Sequence, residues 1–237
     1  LVIDQLLDGH ENSNLGAAGT EPAKLVLDGG QLQVLRTGHS DKGIMVGSSG
    51  GSLNIAETQE LGGNLSGDGV LEITGGGTLV IDHANPGLTG GVTISGSTAR
   101  MTSDEANAAG LGTGMVTLVN GHLEHYNTVN SSNTTELSIH VPENSISSYT
   151  LDGRVNNKDQ LSGGGTLDLH LNFVRCHFEG DWTGFNGKVN VLAPFKGAEF
   201  RVNNTTGFPG SELILNDKVI ARHLTFDTIA VGALQAT

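Results

Sequence analysis

The sequence is poor in cysteine, proline and aromatic residues. It has 237 residues, with one Cys, five Pro and 4% aromatic residues. A single cysteine excludes an internal disulfide framework, and no CxxC or Cys/His spacing typical of a metal site surrounds Cys176. Because no run of about eighteen apolar residues occurs, we expect no membrane-spanning helix.

Positive charge is also scarce. The chain carries 12 Lys and Arg against 25 Asp and Glu, for a formal net charge of −13. Such a balance repels nucleic acids and anionic membrane surfaces. We therefore expect no nucleic-acid partner.

Glycine is abundant instead, and it separates short apolar segments. The 36 Gly are about twice the usual proportion. Helical periodicity is nearly absent, whereas apolar residues alternate between Gly, Asn, Asp and Ser clusters, which is typical of strands joined by tight turns. Clear examples are residues 53–55, 70–73, 78–81 and 92–94.

Two sequence blocks recur. Residues 24–32 match residues 115–123 and 212–220, each with alternating apolar residues around an Asp, Asn or Gly turn. Residues 65–73 recur at 161–169. These matches indicate a degenerate repeat of roughly one hundred residues, with units over approximately 1–35, 36–124 and 125–224.

No Pro-rich or charged linker separates the copies, so we predict one continuous domain over residues 1–237. The N-terminus lacks a start Met and the parts of a signal peptide, which favours a fragment of a longer protein. A β-sandwich closes near one hundred residues, and its copies would need linkers. Stacked coils of roughly twenty to twenty-five residues need none. The sequence therefore predicts an all-β, single-stranded, right-handed parallel β-helix of about ten coils.

Residues 76–81, Asn85, residues 89–94 and residues 110–118 closely resemble the autotransporter-associated strand repeat. The resemblance is strongest over residues 65–123 and partial over 161–224. It implies the right-handed β-helix of autotransporter passengers and a secreted or cell-surface location on a bacterium.

Several β-helix proteins act on polysaccharides, so we searched for paired acids. The hydrolase signature of such proteins is absent, and a turn such as Asp152-Gly153-Arg154, the nearest pairing for a lyase, is commonplace. The acids are therefore expected at the surface, although hydrolysis needs only two acids at a defined separation. The candidates by density are Asp152, Asp159, Asp168, Glu179 and Asp181.

His122 and His125 are three residues apart, which in a strand places them on opposite faces and argues against a zinc pair. His122 is expected to face solvent. Asp168, His170 and Asn172 should share the polar face of an amphipathic strand. Cys176 is expected to be a small core residue, because no basic cluster adjoins it.

Trp182 and Phe185 are suitable for stacking on sugar rings. However, Trp182 aligns with Leu88 in the stronger copy of the repeat, which favours packing. Residues 47–52 and 75–77 lack the Lys-Ser or Lys-Thr and the helix of a phosphate-binding loop, so they should be turns. Three asparagines lie in Asn-X-Thr sequons, and two roles are open for them: they are glycosylated, or they stack as polar ladders inside the coils. These residues are Asn133, Asn203 and Asn204.

The sequence thus favours a noncatalytic extracellular β-helical module, acting as a stalk, spacer or adhesin. The alternative is a polysaccharide-active lyase or glycoside hydrolase, or its carbohydrate-binding accessory part. We predict no catalytic, cofactor or metal site. Surface glycans or host proteins are the expected partners, and exposed strand edges favour end-to-end self-association.

Overall fold

The computed structural model describes residues 1–11, 15–16, 19–21, 25–103, 108–126, 132–223 and 230–236. The protein is all-β, with 55% strand and 1% helix, and its parallel coils stack into a β-solenoid of about nine turns. Within the described ranges, no helix is long and apolar enough to cross a membrane. The strands are β1 (Val2–Ile3), β2 (Val26–Leu27), β3 (Gly30–Val34), β4 (Gly38–Ser40), β5 (Ile44–Val46), β6 (Gly51–Ile55), β7 (Thr58–Leu61), β8 (Leu65–Gly67), β9 (Leu71–Thr74), β10 (Thr78–Ile81), β11 (Val92–Ser95), β12 (Thr98–Met101), β13 (Met115–Val119), β14 (His122–Tyr126), β15 (Ser132–Thr135), β16 (Ser138–Val141), β17 (Ile146–Asp152), β18 (Arg154–Asn157), β19 (Gln160–Gly163), β20 (Thr166–Leu171), β21 (Arg175–Phe178), β22 (Gly184–Phe185), β23 (Lys188–Leu192), β24 (Ala198–Val202), β25 (Phe208–Leu215), β26 (Val219–His223) and β27 (Val231–Ala236).

Alternation of apolar and polar residues decides which side of each strand is buried. In β20, Leu167, Leu169 and Leu171 are fully buried. Asp168 and His170 lie between them on the outer face, as predicted. One side of every such strand fills the core, and the other presents polar groups to solvent.

The chain divides into two compact units, Leu1–Thr117 and Leu118–Thr237. In the first unit, parallel strands stack in three rows, with the orders β1-β3-β6-β9-β11, β4-β7-β10-β12 and β2-β5-β8. In the second unit the rows are β16-β19-β22, β14-β17-β20-β23-β25-β27 and β15-β18-β21-β24-β26. That the whole chain acts as one continuous domain stays a prediction.

Coil length explains the number of turns. Hydrogen bonds between successive coils join residues 20 apart at Leu65 and Asn85, 22 apart at Asp168 and Asn190, and 26 apart at Phe185 and Ser211. The predicted coil of roughly twenty to twenty-five residues is therefore confirmed for most coils, but Val2 pairs with Gln33, 31 residues away, so that coil is longer. The longer coils use more residues per turn, so the chain forms about nine turns, whereas about ten were predicted.

The repeated blocks share local conformation but not position in the coil. The first block spans β2 and β3, in a three-stranded and a nine-stranded sheet. The second spans β13 and β14, in the nine-stranded and a ten-stranded sheet, and the third spans β25 and β26, in the ten-stranded and a five-stranded sheet. Each copy is thus displaced by one sheet, because a strand–turn–strand pattern suits any corner of a coil.

The glycines of the other block show the same local equivalence. Gly67 has φ +117° and Gly163 has φ +107°. A Cβ on Gly67 would lie 1.9 Å from the Val46 carbonyl oxygen, and one on Gly163 would lie 2.1 Å from that of Val141. Both corners therefore require glycine for conformation and for close approach of the preceding coil.

Candidate functional site

Asp159 is not a surface acid, so that part of the sequence prediction is wrong. Its side chain is 1% exposed, at the inner end of the turn between β18 and β19. Both carboxylate oxygens are saturated by donors from its own coil and the preceding one. These donors are Tyr149 Oη (2.8 Å), Asn157 Nδ2 (2.6 Å), Thr135 Oγ1 (3.1 Å) and the backbone N of Leu137 (2.7 Å).

Burial raises the pKa of Asp159 from 3.8 to about 6, although the hydrogen bonds oppose the rise. The group is inaccessible to a polysaccharide, so it cannot serve as a glycosidase acid. Its four hydrogen-bond donors come from two successive coils, so the carboxylate links these coils. Continuing the alternation of β18 to position 159 places Asp159 on the inner side. The sequence therefore contained a signal for its burial, but the prediction was based on the local density of acids instead.

The Asp159 carboxyl should make stability depend on pH. Because its folded pKa is above the unfolded value, its contribution is fully present below pH about 4 and is lost as pH rises through about 6. The free energy of unfolding of the wild type, minus that of Asp159→Asn, should fall by about 2 kcal/mol between pH 4 and pH 7. Urea titrations of both proteins across this range measure it.

The difference between the two proteins is needed because His125 has the opposite effect. Burial lowers the pKa of His125 to about 4, so its contribution is lost as pH falls from 6.5 towards 4. The His125 contribution is common to both proteins and cancels. A stability difference that rises with pH, or stays level, would contradict the assignment to Asp159.

The remaining acids have separate hydrogen-bond partners, and two of them, Glu179 and Asp181, line one open cavity. Asp168 accepts from Asn190 Nδ2 at 2.6 Å, and Glu179 accepts from Asn203 Nδ2 at 3.2 Å. Asp181 accepts from the backbone N of Thr183 at 2.9 Å, which lowers its pKa. In the part of the chain that the structure describes, no group of three or more His, Cys, Asp or Glu is arranged to hold a metal ion.

The two histidines of β14 lie on opposite faces, as predicted. His122 is half-buried on the outer face, with Nε2 2.9 Å from Thr150 Oγ1. His125 is fully buried in the core. No metal ion can therefore be shared between them.

The predicted packing roles of Trp182 and Cys176 are confirmed, and Phe185, considered for stacking on sugar rings, is buried as well. All three are buried, and Trp182 Nε1 donates to the Asp159 carbonyl at 3.1 Å. Burial raises the pKa of the Cys176 thiol to about 12, which leaves it protonated and unreactive. The two aromatic rings therefore offer no platform for a sugar.

The glycine-rich segments and the sequons have structural roles. Residues 47–50 turn between β5 and β6, with Gly51 and Ser52 already in β6, and residues 75–77 turn between β9 and β10. The side chains of Asn133 and Asn204 are buried, which leaves their amides inaccessible to a glycosylating enzyme. The Asn204 amide donates to the Gly180 carbonyl of the preceding coil at 2.9 Å, as expected of an internal polar contact.

The outer face of one sheet in the second unit concentrates the positive charge. Strands β18, β21, β24 and β26 each present one arginine outward, while Val155, Cys176 and Phe200 point into the core. Four of the six arginines of the chain are therefore gathered there. We call this surface the arginine face: Arg154, Arg175, Arg201 and Arg222.

Glu199 organises one half of the arginine face. It forms an ion pair with Arg201, and its Oε1 lies 2.7 Å from Arg222 Nε. Arg175 Nε is more distant, at 4.0 Å from Glu199 Oε2. Burial opposes ionisation of Glu199, but the hydrogen bonds from Arg201 and Arg222 prevail and lower its pKa. One carboxylate thus serves three guanidinium groups, and positive charge remains in excess.

His177 adds no charge to this surface near neutral pH. Partial burial, and then the neighbouring Arg201, lower its pKa. Its Nε2 lies 3.2 Å from Arg201 Nη1, so the neutral imidazole accepts a hydrogen bond from the guanidinium. This contact fixes the position of Arg201.

The other half of the arginine face borders a small cavity that is open to solvent. Arg154, Phe173, Val174 and Arg175 line a volume of about 230 Å³. The Val174 side chain is 48% exposed there. Arg154 has no ion pair among the described residues. Arg154 belongs to the Asp152-Gly153-Arg154 turn that the sequence offered as the nearest pairing for a lyase. In the structure, Asp152 lies in β17 and Arg154 in β18, and these strands belong to different sheets.

Sequence reasoning missed the arginine face because a net charge of −13 says nothing about where charges lie. A signal was nevertheless present. The four arginines are separated by about one coil each along the chain. In a solenoid, residues one coil apart stack on the same sheet, so this spacing predicts a charged row.

Comparisons with known proteins support only a partial resemblance. The chain is 34% identical over 103 residues to the adhesin BmaC autotransporter of Brucella suis biovar 1 (strain 1330). The match covers 42% of this chain and 3% of that protein. No family model matches the chain, and no solved structure matches it.

Proposed function

We propose that this chain is a noncatalytic β-helical module of a bacterial surface protein and that it acts in adhesion. The arginine face carries the proposal, because it gathers four guanidinium groups, suited to binding anionic groups, on one sheet. The partial similarity to an autotransporter adhesin supports a surface location. A solenoid suits this role, since stacked coils present extended faces for recognition.

The polysaccharide-cleaving alternative gains no support from the arrangement of acids. Hydrolysis needs two carboxyl groups that both reach the sugar, one of them with a raised pKa. Asp159 has the raised pKa, but it is enclosed by its four donors. Asp168, Glu179 and Asp181 have separate hydrogen-bond partners.

The proposal is tested by binding and by activity in parallel. Beads coated with the chain should adhere to cultured host cells or to arrayed host and plant glycans severalfold more than beads coated with heat-denatured chain. Incubation with pectin, alginate and xylan should release no new reducing or unsaturated ends. Failure to bind every cell and glycan surface would contradict adhesion, and new chain ends would show an enzyme.

A further inference from the structure

Arg154 and Arg175 are positioned to share one anionic group. They lie on neighbouring strands, and parallel strands are about 4.8 Å apart. A guanidinium group presents a planar fork of donors that matches a carboxylate. Arg154 has no recorded ion pair in the described ranges, and the contact of Arg175 with Glu199 is long at 4.0 Å. Both forks can therefore turn towards a ligand.

The cavity between these arginines also has an apolar wall. Phe173 and the exposed Val174 form it. A simple inorganic anion would gain nothing from this wall, whereas a sugar acid joins a carboxylate to a ring with an apolar C–H face. Aromatic and aliphatic side chains pack against such faces. The cavity thus combines the two chemical features that a uronic acid needs.

Arg201 and Arg222 form a second pair on β24 and β26, two residues further along the strands, because Arg201 pairs with His177 and Arg175 pairs with Glu199. They are held by Glu199, which leaves them pre-positioned but only partly neutralised. A polymer with a carboxylate on each sugar could contact the row at several points. The net charge of −13 repels any polyanion at a distance, so binding has to come from local contacts at the arginine face.

We infer that the arginine face binds carboxylate-bearing polysaccharides, with one uronic acid seated between Arg154 and Arg175. The inference rests on the proposed adhesive function and names its ligand class. The guanidinium groups hold the carboxylate, and the Phe173 and Val174 side chains hold the sugar ring.

The test uses the full chain and a short oligogalacturonate of defined length, with affinity measured by calorimetry at low salt. The double variant Arg154→Gln/Arg175→Gln should bind more than tenfold more weakly. The double variant Arg36→Gln/Lys188→Gln removes the same charge elsewhere, from groups in exposed ion pairs, and should bind within about twofold of wild type. Carboxyl-reduced oligosaccharide should bind at least tenfold more weakly than the acid.

Equal affinity of the acid and its reduced form would overturn the inference. So would unchanged affinity in Arg154→Gln/Arg175→Gln, an equal loss in the control variant, or preferential binding of heparin or duplex DNA over the uronate. If uronate binding is absent while cells or other glycans are bound, the ligand assignment fails and adhesion stands. If nothing is bound in either assay, adhesion itself fails.

Discussion

Replacing Trp182 by alanine should destabilise the protein by about 3–5 kcal/mol, a large effect for a single substitution. The indole is fully buried and packs edge-on against Phe178 at 5.6 Å and Phe208 at 5.1 Å between ring centroids. Alanine would leave a cavity and remove the hydrogen bond from Nε1 to the Asp159 carbonyl. Urea unfolding followed by far-UV circular dichroism measures the loss.

Phe195→Ala is the matched control for Trp182→Ala. Phe195 is also a large aromatic residue of the second unit, but its side chain is 36% exposed. Truncation there should cost about 1–2 kcal/mol, less than at Trp182, because about a third of Phe195 is already exposed to water. Equal losses at the two positions would show that Trp182 does not organise the core.

Gly163→Ala should destabilise the protein by about 2–4 kcal/mol. The residue has φ +107°, which disfavours a side chain, and the added Cβ would lie 2.1 Å from the Val141 carbonyl oxygen. That oxygen belongs to the preceding coil, paired in register with Gly163. The two coils would have to separate, so the midpoint of urea unfolding should fall markedly.

Gly197→Ala separates the two causes. Gly197 also has positive φ, at +89°, but a Cβ there would meet nothing within 4 Å. Its cost should be limited to the backbone term, about 1 kcal/mol. If the two alanine variants lose the same stability, close approach between coils contributes nothing at Gly163.

The strand content could be predicted from the sequence because alternation is a local signal. The outward face of Asp168 and His170 followed from alternation, whereas the burial of Trp182 followed from its alignment with Leu88 in the repeat. The fate of Asp159 did not, because the donors around it come from residues up to 24 positions away. Composition suggests an exposed acid, whereas the register of neighbouring coils buries it.

The repeat shows the same limit. Residues 65–73 and 161–169 form equivalent glycine corners, yet β8 and β19 belong to different sheets. Local sequence specifies a strand, a turn and a positive φ, but not which corner of the coil they occupy. The summed lengths of the preceding coils decide which corner a given segment occupies.

By itself, the sequence determined that this protein folds as stacked parallel strands with glycine corners, because alternation and turn chemistry are properties of adjacent residues. The sequence also determined that the chain as a whole is acidic, since acidic residues outnumber basic ones. Only the tertiary structure decided where those charges lie, since the coil brings Arg154, Arg175, Arg201 and Arg222 onto one sheet. Charges one coil apart become neighbours only when the strands pair.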